Sequence, residues 1–183
     1  AKTFSFKALK ERLDKYREEW VKAVTVSGGE PTVHAALPDT LAFLKEEGFL
    51  VKLDTNGSNP EMLRNVLPVV DYVAMDIKNA PTLYAQTCGG IDRLAQVRES
   101  AALLLGGHVD YEFRTTVCAP LHTPRDMEEL GRWLKGARRY FLQPFADSGA
   151  LVGGGVSPPS EDEIKALRDS VLPYIPNTQI RGQ

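Results

Sequence analysis

Segments with helical and strand-like patterns alternate along nearly all of this 183-residue chain. In the helical segments apolar side chains recur at offsets of three and four, as at Leu9, Leu13 and Tyr16. Alternation of this kind is typical of a parallel sheet with right-handed crossovers. We predict an α/β fold, and a partial β/α barrel rather than an open doubly wound sheet, because helices separate all the strands. The predicted strands are 23–27, 49–54, 70–77, 109–118, 139–145 and, more weakly, 178–181.

The composition indicates one domain without an extended charged surface. A chain of this length that is 43% hydrophobic buries one sizeable core, so we expect a single domain over residues 1–183. The net charge of −2 comes from interspersed signs, which argues against nucleic acid or an anionic membrane as partner. There is no secretory signal and no apolar run of the roughly 20 residues that a membrane helix needs. We therefore expect a cytoplasmic protein.

Acidic residues follow three successive predicted strands. Gly28-Gly29-Glu30 closes the first, Asp54 ends the second and Asp76 ends the third. Two glycines at a strand end let a ligand approach the backbone closely. Because parallel strands bring their carboxyl ends to one edge of the sheet, we expect the three carboxylates to lie close together. Such a cluster needs a cation, which is a metal ion, an ammonium group, or Lys78 on the same strand face as Asp76.

Simpler interpretations remain open for these residues. Asp54 belongs to an Asp-Thr-Asn-Gly sequence that alone is typical of a turn. Asp76 lies inside an apolar run, where a carboxylate needs a partner. Polar residues also end the fourth and fifth strands, and they can either hold a ligand or fill a barrel interior; they are Arg114, Thr115, Thr116 and Gln143.

Five segments, in order and with matching spacing, resemble the radical S-adenosylmethionine (SAM) superfamily, in particular the activating enzymes of glycyl-radical proteins. Within that group the resemblance is closest to the activating proteins of anaerobic ribonucleoside-triphosphate reductase. It covers nearly the whole chain, in the segments Ser-Gly-Gly-Glu-Pro-Thr (27–32), Lys-Leu-Asp-Thr-Asn-Gly-Ser (52–58), Asp-Tyr-Val-Ala-Met-Asp-Ile-Lys (71–78), Glu-Phe-Arg-Thr-Thr-Val (112–117) and Leu-Gln-Pro-Phe (142–145).

The resemblance implies that S-adenosylmethionine binds at the strand ends. Gly28, Gly29 and Glu30 match the segment that binds its methionine amino group. Asp54, Thr55 and Asp76 match positions that help to hold a monovalent cation against the methionine carboxylate in a related activating enzyme.

Three further positions match the family at the site. The resemblance implies that Lys78 lies near the cofactor, and that Thr115 and Gln143 lie near its ribose and adenine.

The chain departs from the family in its cysteines. The family's [4Fe–4S] cluster is held by a Cys-x-x-x-Cys-x-x-Cys motif, whereas this chain has only Cys88 and Cys118, far apart. The chain also begins with a helical pattern. We therefore expect the first βα unit, with the cluster ligands, to be missing and the chain alone to be inactive. We also expect the exposed sheet edge to be a site of possible association.

For the complete protein, the resemblance implies reductive cleavage of S-adenosylmethionine and formation of a glycyl radical on anaerobic ribonucleotide reductase, with an electron donor as second partner. The same motifs could serve activation of pyruvate formate-lyase. Two other classes stay open, namely a Mg²⁺-dependent β/α-barrel lyase with Glu30, Asp54 and Asp76 as ligands, and a non-catalytic domain that only binds S-adenosylmethionine.

Overall fold

The computed structural model describes residues 5–18, 20–146 and 155–182, which contain six parallel strands. The strands pair in the order in which they occur in the chain, so each neighbours the next. They are β1 (Ala23–Val26), β2 (Leu50–Thr55), β3 (Tyr72–Asp76), β4 (Asp110–Val117), β5 (Tyr140–Pro144) and β6 (Thr178–Ile180). Sequential order with parallel pairing is the arrangement of a β/α barrel and not of a doubly wound sheet, which confirms the predicted fold class.

Helices precede and connect the strands. They are α1 (Phe6–Glu18), α2 (Leu37–Glu46), α3 (Pro60–Val66), α4 (Tyr84–Thr87), α5 (Leu94–Leu105), α6 (Pro124–Trp133) and α7 (Glu161–Val171). Side chains cap the starts of several of these helices. Asn59 accepts a hydrogen bond from the Met62 amide at the start of α3, and Ser160 forms a reciprocal capping box with Glu163 on α7. The short helix α4 was not predicted, since it has neither a side-chain cap nor a run of periodic apolar residues.

The two faces of the sheet have opposite character. Leu53, Met75 and Phe113 point to one face, where they are fully buried in a core shared with the helices. Asp54, Asp76 and Arg114 lie on the other, which we call the site face. Because side chains alternate along a strand, a single register places all the acidic and basic groups of β2, β3 and β4 on the site face. The fold therefore fixes the location of the polar cluster.

The sheet does not close into a full barrel within the described residues. The edge strands β1 and β6 pair with β2 and β5 respectively and not with each other. In the described part of the chain no helix combines the length and apolar character that crossing a membrane requires.

Candidate functional site

A cleft of about 290 Å³ opens at the carboxyl ends of the first three strands. Its walls come from the loop after β1, the ends of β2 and β3, and one side chain of β4. The residues that line it include seven of the nine predicted from sequence, namely Gly28, Gly29, Glu30, Asp54, Thr55, Asp76 and Lys78; Arg114 and Asn56 complete it with Ser27 and Pro31. The structure thus brings the three predicted acids to one cleft.

The Glu30 carboxylate ties the loop after β1 to the loop after β2. Its Oε1 accepts hydrogen bonds from the amide and hydroxyl of Thr32, at 3.0 and 2.5 Å, and from the Thr55 hydroxyl at 2.8 Å. Its Oε2 accepts one from the Asn56 amide at 2.6 Å. Three donors saturate Oε1, so only Oε2 retains capacity for a further donor. Glu30 therefore holds the cleft together before any ligand is bound.

Glycines shape both loops at this edge. Gly28 has φ of +148°, in a region that favours glycine, and a Cβ built there meets no atom within 4 Å. The open backbone next to the cleft leaves room for a ligand. At Gly57 φ is +72°, and a Cβ would lie 2.1 Å from Met75 Cε. Gly57 is thus required both by backbone conformation and by close packing of the β2 loop over β3.

Arg114 lies between two of the predicted acids. Its Nη1 is 3.0 Å from Asp54 Oδ2, and its Nε donates to Asp76 Oδ1. Each carboxylate has a second cationic partner, since Lys52 pairs with Asp54 and Lys78 Nζ lies 2.9 Å from Asp76 Oδ2. The charges of Asp54 and Asp76 are therefore neutralised by side chains of the protein itself.

These contacts shift the ionisation of two of the groups. Burial by itself would raise the pKa of Asp76, but the hydrogen bonds and charges of Arg114 and Lys78 outweigh it and hold the pKa below 3.8. Burial likewise works against the charged form of Arg114, but the hydrogen bonds and charges of Asp76 and Asp54 outweigh it, so the pKa of Arg114 rises above its ordinary value. Both groups are fully ionised at neutral pH.

The two remaining predicted residues lie elsewhere. Thr115 is 1% exposed, and its hydroxyl donates to the Ile77 carbonyl at 2.7 Å and lies 2.6 Å from the Tyr140 hydroxyl. It points to the core face, so its predicted contact with the ribose stays a prediction that this placement does not support. Gln143 is paired in register with Thr116, on the site face, but it does not line the cleft.

The residues present do not fit an iron–sulfur cluster. Cysteine ligates iron as the thiolate. Burial raises the pKa of both Cys88 and Cys118, which favours the protonated thiol. The two cysteines also lie on different segments, after α4 and after β4, and the sequence contains no third. The two cysteines of this chain therefore do not supply the ligands of such a cluster.

The three acids do not form a metal centre either. Among residues 5–18, 20–146 and 155–182, no three His, Cys, Asp or Glu side chains are arranged to hold a metal ion. Glu30 binds backbone and hydroxyl donors, while Asp54 and Asp76 bind cationic side chains. The alternative of a Mg²⁺-dependent lyase with these three ligands is not supported by this arrangement.

Sequence reasoning did not assign Arg114 to this cleft. Arg114 was placed at the end of the fourth strand, but its pairing with two acids depends on the register of β4 against β3. The sequence did contain one indication that Arg114 lies on the site face. Side chains alternate between the two faces of a strand, so Arg114 shares a face with Glu112 and not with the buried Phe113.

Comparison with protein families gives a match over most of the chain. The model of the radical SAM superfamily matches residues 1–134. A protein of Methanocaldococcus jannaschii, named as a glycyl-radical enzyme activating enzyme, is 30% identical over 168 residues, which are 87% of this chain and 70% of that protein.

Solved structures share the fold at low sequence identity. A domain of a pyruvate-formate lyase-activating enzyme from Bacteroides vulgatus aligns with a TM-score of 0.73 at 18% identity, over 88% of this chain and 99% of that domain. Streptococcus suis SuiB, in a structure bound to S-adenosylmethionine, aligns with a TM-score of 0.77 at 13% identity, over 100% of this chain and 44% of SuiB.

Proposed function

This chain belongs to the radical SAM superfamily, and on that premise we propose that its cleft binds S-adenosylmethionine in the service of a glycyl-radical enzyme activating function. The observation that carries the proposal is the cleft itself, where uncovered Gly28-Gly29 backbone and the cations Lys78 and Arg114 occur together. The amino-acid end of S-adenosylmethionine carries an ammonium and a carboxylate. A site with acceptors on one side and cations on the other is complementary to that pair.

We assign the ammonium to the loop after β1 and the carboxylate to the cationic side chains. Backbone carbonyls of Gly28 and Gly29, with the free lone pair of Glu30 Oε2, are the acceptors for the ammonium. The side chain of Lys78 is 42% exposed, and its ammonium group has donors beyond the one used by Asp76. Lys78 can therefore bind the carboxylate of the ligand while it stays paired with Asp76. Gln143, on the same sheet face, is proposed to contact the nucleoside.

The activating function is supported by the name of the Methanocaldococcus jannaschii relative, which aligns over most of both chains. We propose a glycyl-radical enzyme as the protein partner, of the anaerobic ribonucleotide reductase type. The pyruvate formate-lyase type is the second candidate, favoured by the fold shared with the Bacteroides vulgatus domain. Biolayer interferometry of the chain against one purified enzyme of each type separates the two, since only the true partner is expected to bind.

We further propose that residues 1–183 bind S-adenosylmethionine weakly and do not cleave it, because they carry no set of cluster ligands. Anaerobic reconstitution with iron and sulfide, followed by a search for 5′-deoxyadenosine, tests this proposal. We expect none above the level of a protein-free control. Cluster-dependent turnover by this chain would refute it.

Calorimetric titration of S-adenosylmethionine tests the binding proposal. Lys78→Gln is expected to weaken binding about tenfold, which is the loss of roughly 1.4 kcal/mol typical of a charge-assisted contact. Lys45→Gln is a matched control, since Lys45 makes a similarly exposed pair with Asp71 outside the cleft; it should bind like the unchanged protein. Absence of binding to the unchanged protein, combined with stabilisation by Mg²⁺, would favour the lyase class instead.

A further inference from the structure

The side chain of Arg114 spans two strands. In the sheet register Arg114 on β4 lies beside Asp76 on β3, and Asp54 on β2 lies beside Ala74 on β3. To contact both acids, the guanidinium must cross β3 on the site face. The β3 residue in register with Asp54 is Ala74, whose small side chain is fully buried.

The charges around this guanidinium leave little attraction for an additional cation. Asp54 and Asp76 are surrounded by Arg114, Lys52 and Lys78, so three cations face these two carboxylates. The third carboxylate of the cleft, Glu30, is held by four uncharged donors. Asp54 and Arg114 are each only 15% exposed as side chains, so solvent screens their pairing weakly. A metal ion would have to displace a buried guanidinium and then sit beside two lysines.

Thr55, the third residue predicted to hold a monovalent cation, is engaged elsewhere. Its hydroxyl donates to Glu30 Oε1 at 2.8 Å and accepts a hydrogen bond from the Gly57 amide at 3.0 Å. Thr55 is 3% exposed, so both contacts lie inside the protein. The hydroxyl is thus committed to holding the two loops together.

We propose that the guanidinium of Arg114 is the built-in cation of this site, bridging Asp54 and Asp76 in the place predicted for an alkali-metal ion. The ligand carboxylate then binds next to a fixed positive charge, and its binding does not require added Na⁺ or K⁺. The part of this inference that concerns the ligand rests on the proposed function. The part that concerns the metal ion stands on the geometry alone.

The metal-ion part is tested without any cofactor. Crystals of the protein grown in thallium(I) acetate, with Tl⁺ as a substitute for K⁺, are examined for anomalous scattering between Asp54 and Asp76. We expect none in the unchanged protein and a peak in Arg114→Ala, where the two carboxylates have lost their bridge. Thallium in the unchanged protein, or its absence from the variant, would overturn the proposal.

Thermal unfolding in sodium acetate and in choline acetate of equal ionic strength gives a second readout that does not need crystals. The melting temperature of the unchanged protein should be the same in both salts, and Arg114→Ala should melt higher in sodium. Arg64→Ala serves as the control, because it removes an arginine from an exposed pair with Glu99 outside the cleft. A melting temperature of the unchanged protein that rises with sodium would contradict the inference.

Binding of S-adenosylmethionine in the two salts then separates the inference from the proposed function. Equal affinity in sodium and choline supports the built-in cation. Binding that appears only in sodium overturns it while leaving the proposed function intact. Absence of binding in both salts contradicts the proposed function, and the thallium and melting experiments still decide the inference.

Discussion

The carboxylate of Glu30 illustrates how single side chains build this site. Its four donors come from the segment after β1 and from the end of β2 with the loop that follows, so Glu30 is a structural link as well as a candidate ligand. Sequence reasoning identified Glu30 from its position after two glycines. The loop-to-loop contacts could not be predicted, because Thr55 and Asn56 approach Glu30 only through the pairing of β1 with β2.

Replacement of this carboxylate tests its structural contribution. Both carboxylate oxygens of Glu30 accept hydrogen bonds, and Glu30→Gln replaces one of them with an NH₂ group. At least one hydrogen bond is then lost, and the new NH₂ group faces another donor. We expect destabilisation by about 1–3 kcal/mol, the typical penalty for an unsatisfied buried polar group. Urea unfolding measures it. Glu46→Gln, on the exposed surface of α2, is the control and should change stability by less than about 0.5 kcal/mol.

Substitution of Gly57, compared with substitution of Gly48, distinguishes the cost of backbone strain from the cost of steric overlap. Gly57→Ala forces a side chain onto a backbone with φ of +72° and places its Cβ 2.1 Å from Met75 Cε. Gly48→Ala imposes the same backbone strain at φ of +81° without any atom within 4 Å. Strain alone costs about 1 kcal/mol, and we expect Gly57→Ala to cost about 1–3 kcal/mol more because the core must move. Equal losses in the two variants would show that Met75 adapts freely.

The contacts of Arg114 with Asp54 and Asp76 could not be predicted from the sequence. Its type and its place at a strand end were visible, but its reach to Asp54 depends on two strand registers and on the small side chain of Ala74. Lys78 was predictable because its partner, Asp76, lies only two residues before it, at the end of β3. Contacts between near neighbours in the chain can be read from sequence, whereas contacts across three strands need the assembled sheet.

At the scale of elements, local sequence signals mark where three of the helices begin. The starts of α3, α6 and α7 follow cap residues, and all three caps form as hydrogen bonds. Five of the six predicted strands were longer than the observed ones by one to three residues, since apolar runs extend beyond the hydrogen-bonded ladder; the second had the observed length but was placed one residue too early. The helix α4 was missed because only four residues form it, in a segment without periodic apolar residues.

The capping box of α7 gives a prediction at this scale. Ser160 accepts a hydrogen bond from the Glu163 amide, and the Glu163 carboxylate accepts one from the Ser160 amide. Ser160→Ala should destabilise the protein by about 0.5–2 kcal/mol, as is typical for loss of an N-cap. Ser170→Ala is the control, because that hydroxyl only bonds back to the Ala166 carbonyl within the helix. A stability change at Ser160 no larger than that at Ser170 would contradict the capping role.

For the whole molecule, the alternating pattern was sufficient to predict a parallel β/α-barrel architecture. The sequential strand order brings the ends of β1, β2 and β3 side by side, as the observed cleft requires. The exposed edge strand β1 remains a predicted site of association, since edge strands present unpaired backbone groups. The location of the site follows from topology, and its charge balance follows from side-chain packing.

Acid sensitivity is expected from the lowered pKa of Asp76. A carboxylate whose pKa is lower in the folded state stabilises the fold at pH values above its unfolded pKa, and that contribution is lost as the pH falls through the folded value. The loss should therefore begin below about pH 4, near the ordinary value of 3.8. Urea unfolding between about pH 6 and pH 3 measures it. Asp76→Asn should be less stable at neutral pH and show a shallower decline; an unchanged slope would remove Asp76 from the acid response.

We propose that the ends of β1, β2 and β3 form one pocket for S-adenosylmethionine. Titration of the ¹⁵N-labelled protein with S-adenosylmethionine, followed by two-dimensional NMR, tests this proposal most directly. We expect the perturbed amides to concentrate at 28–30, 54–56 and 76–78, while those of α6 and α7 remain unchanged. Absence of perturbation, or perturbation confined to a different surface, would contradict it.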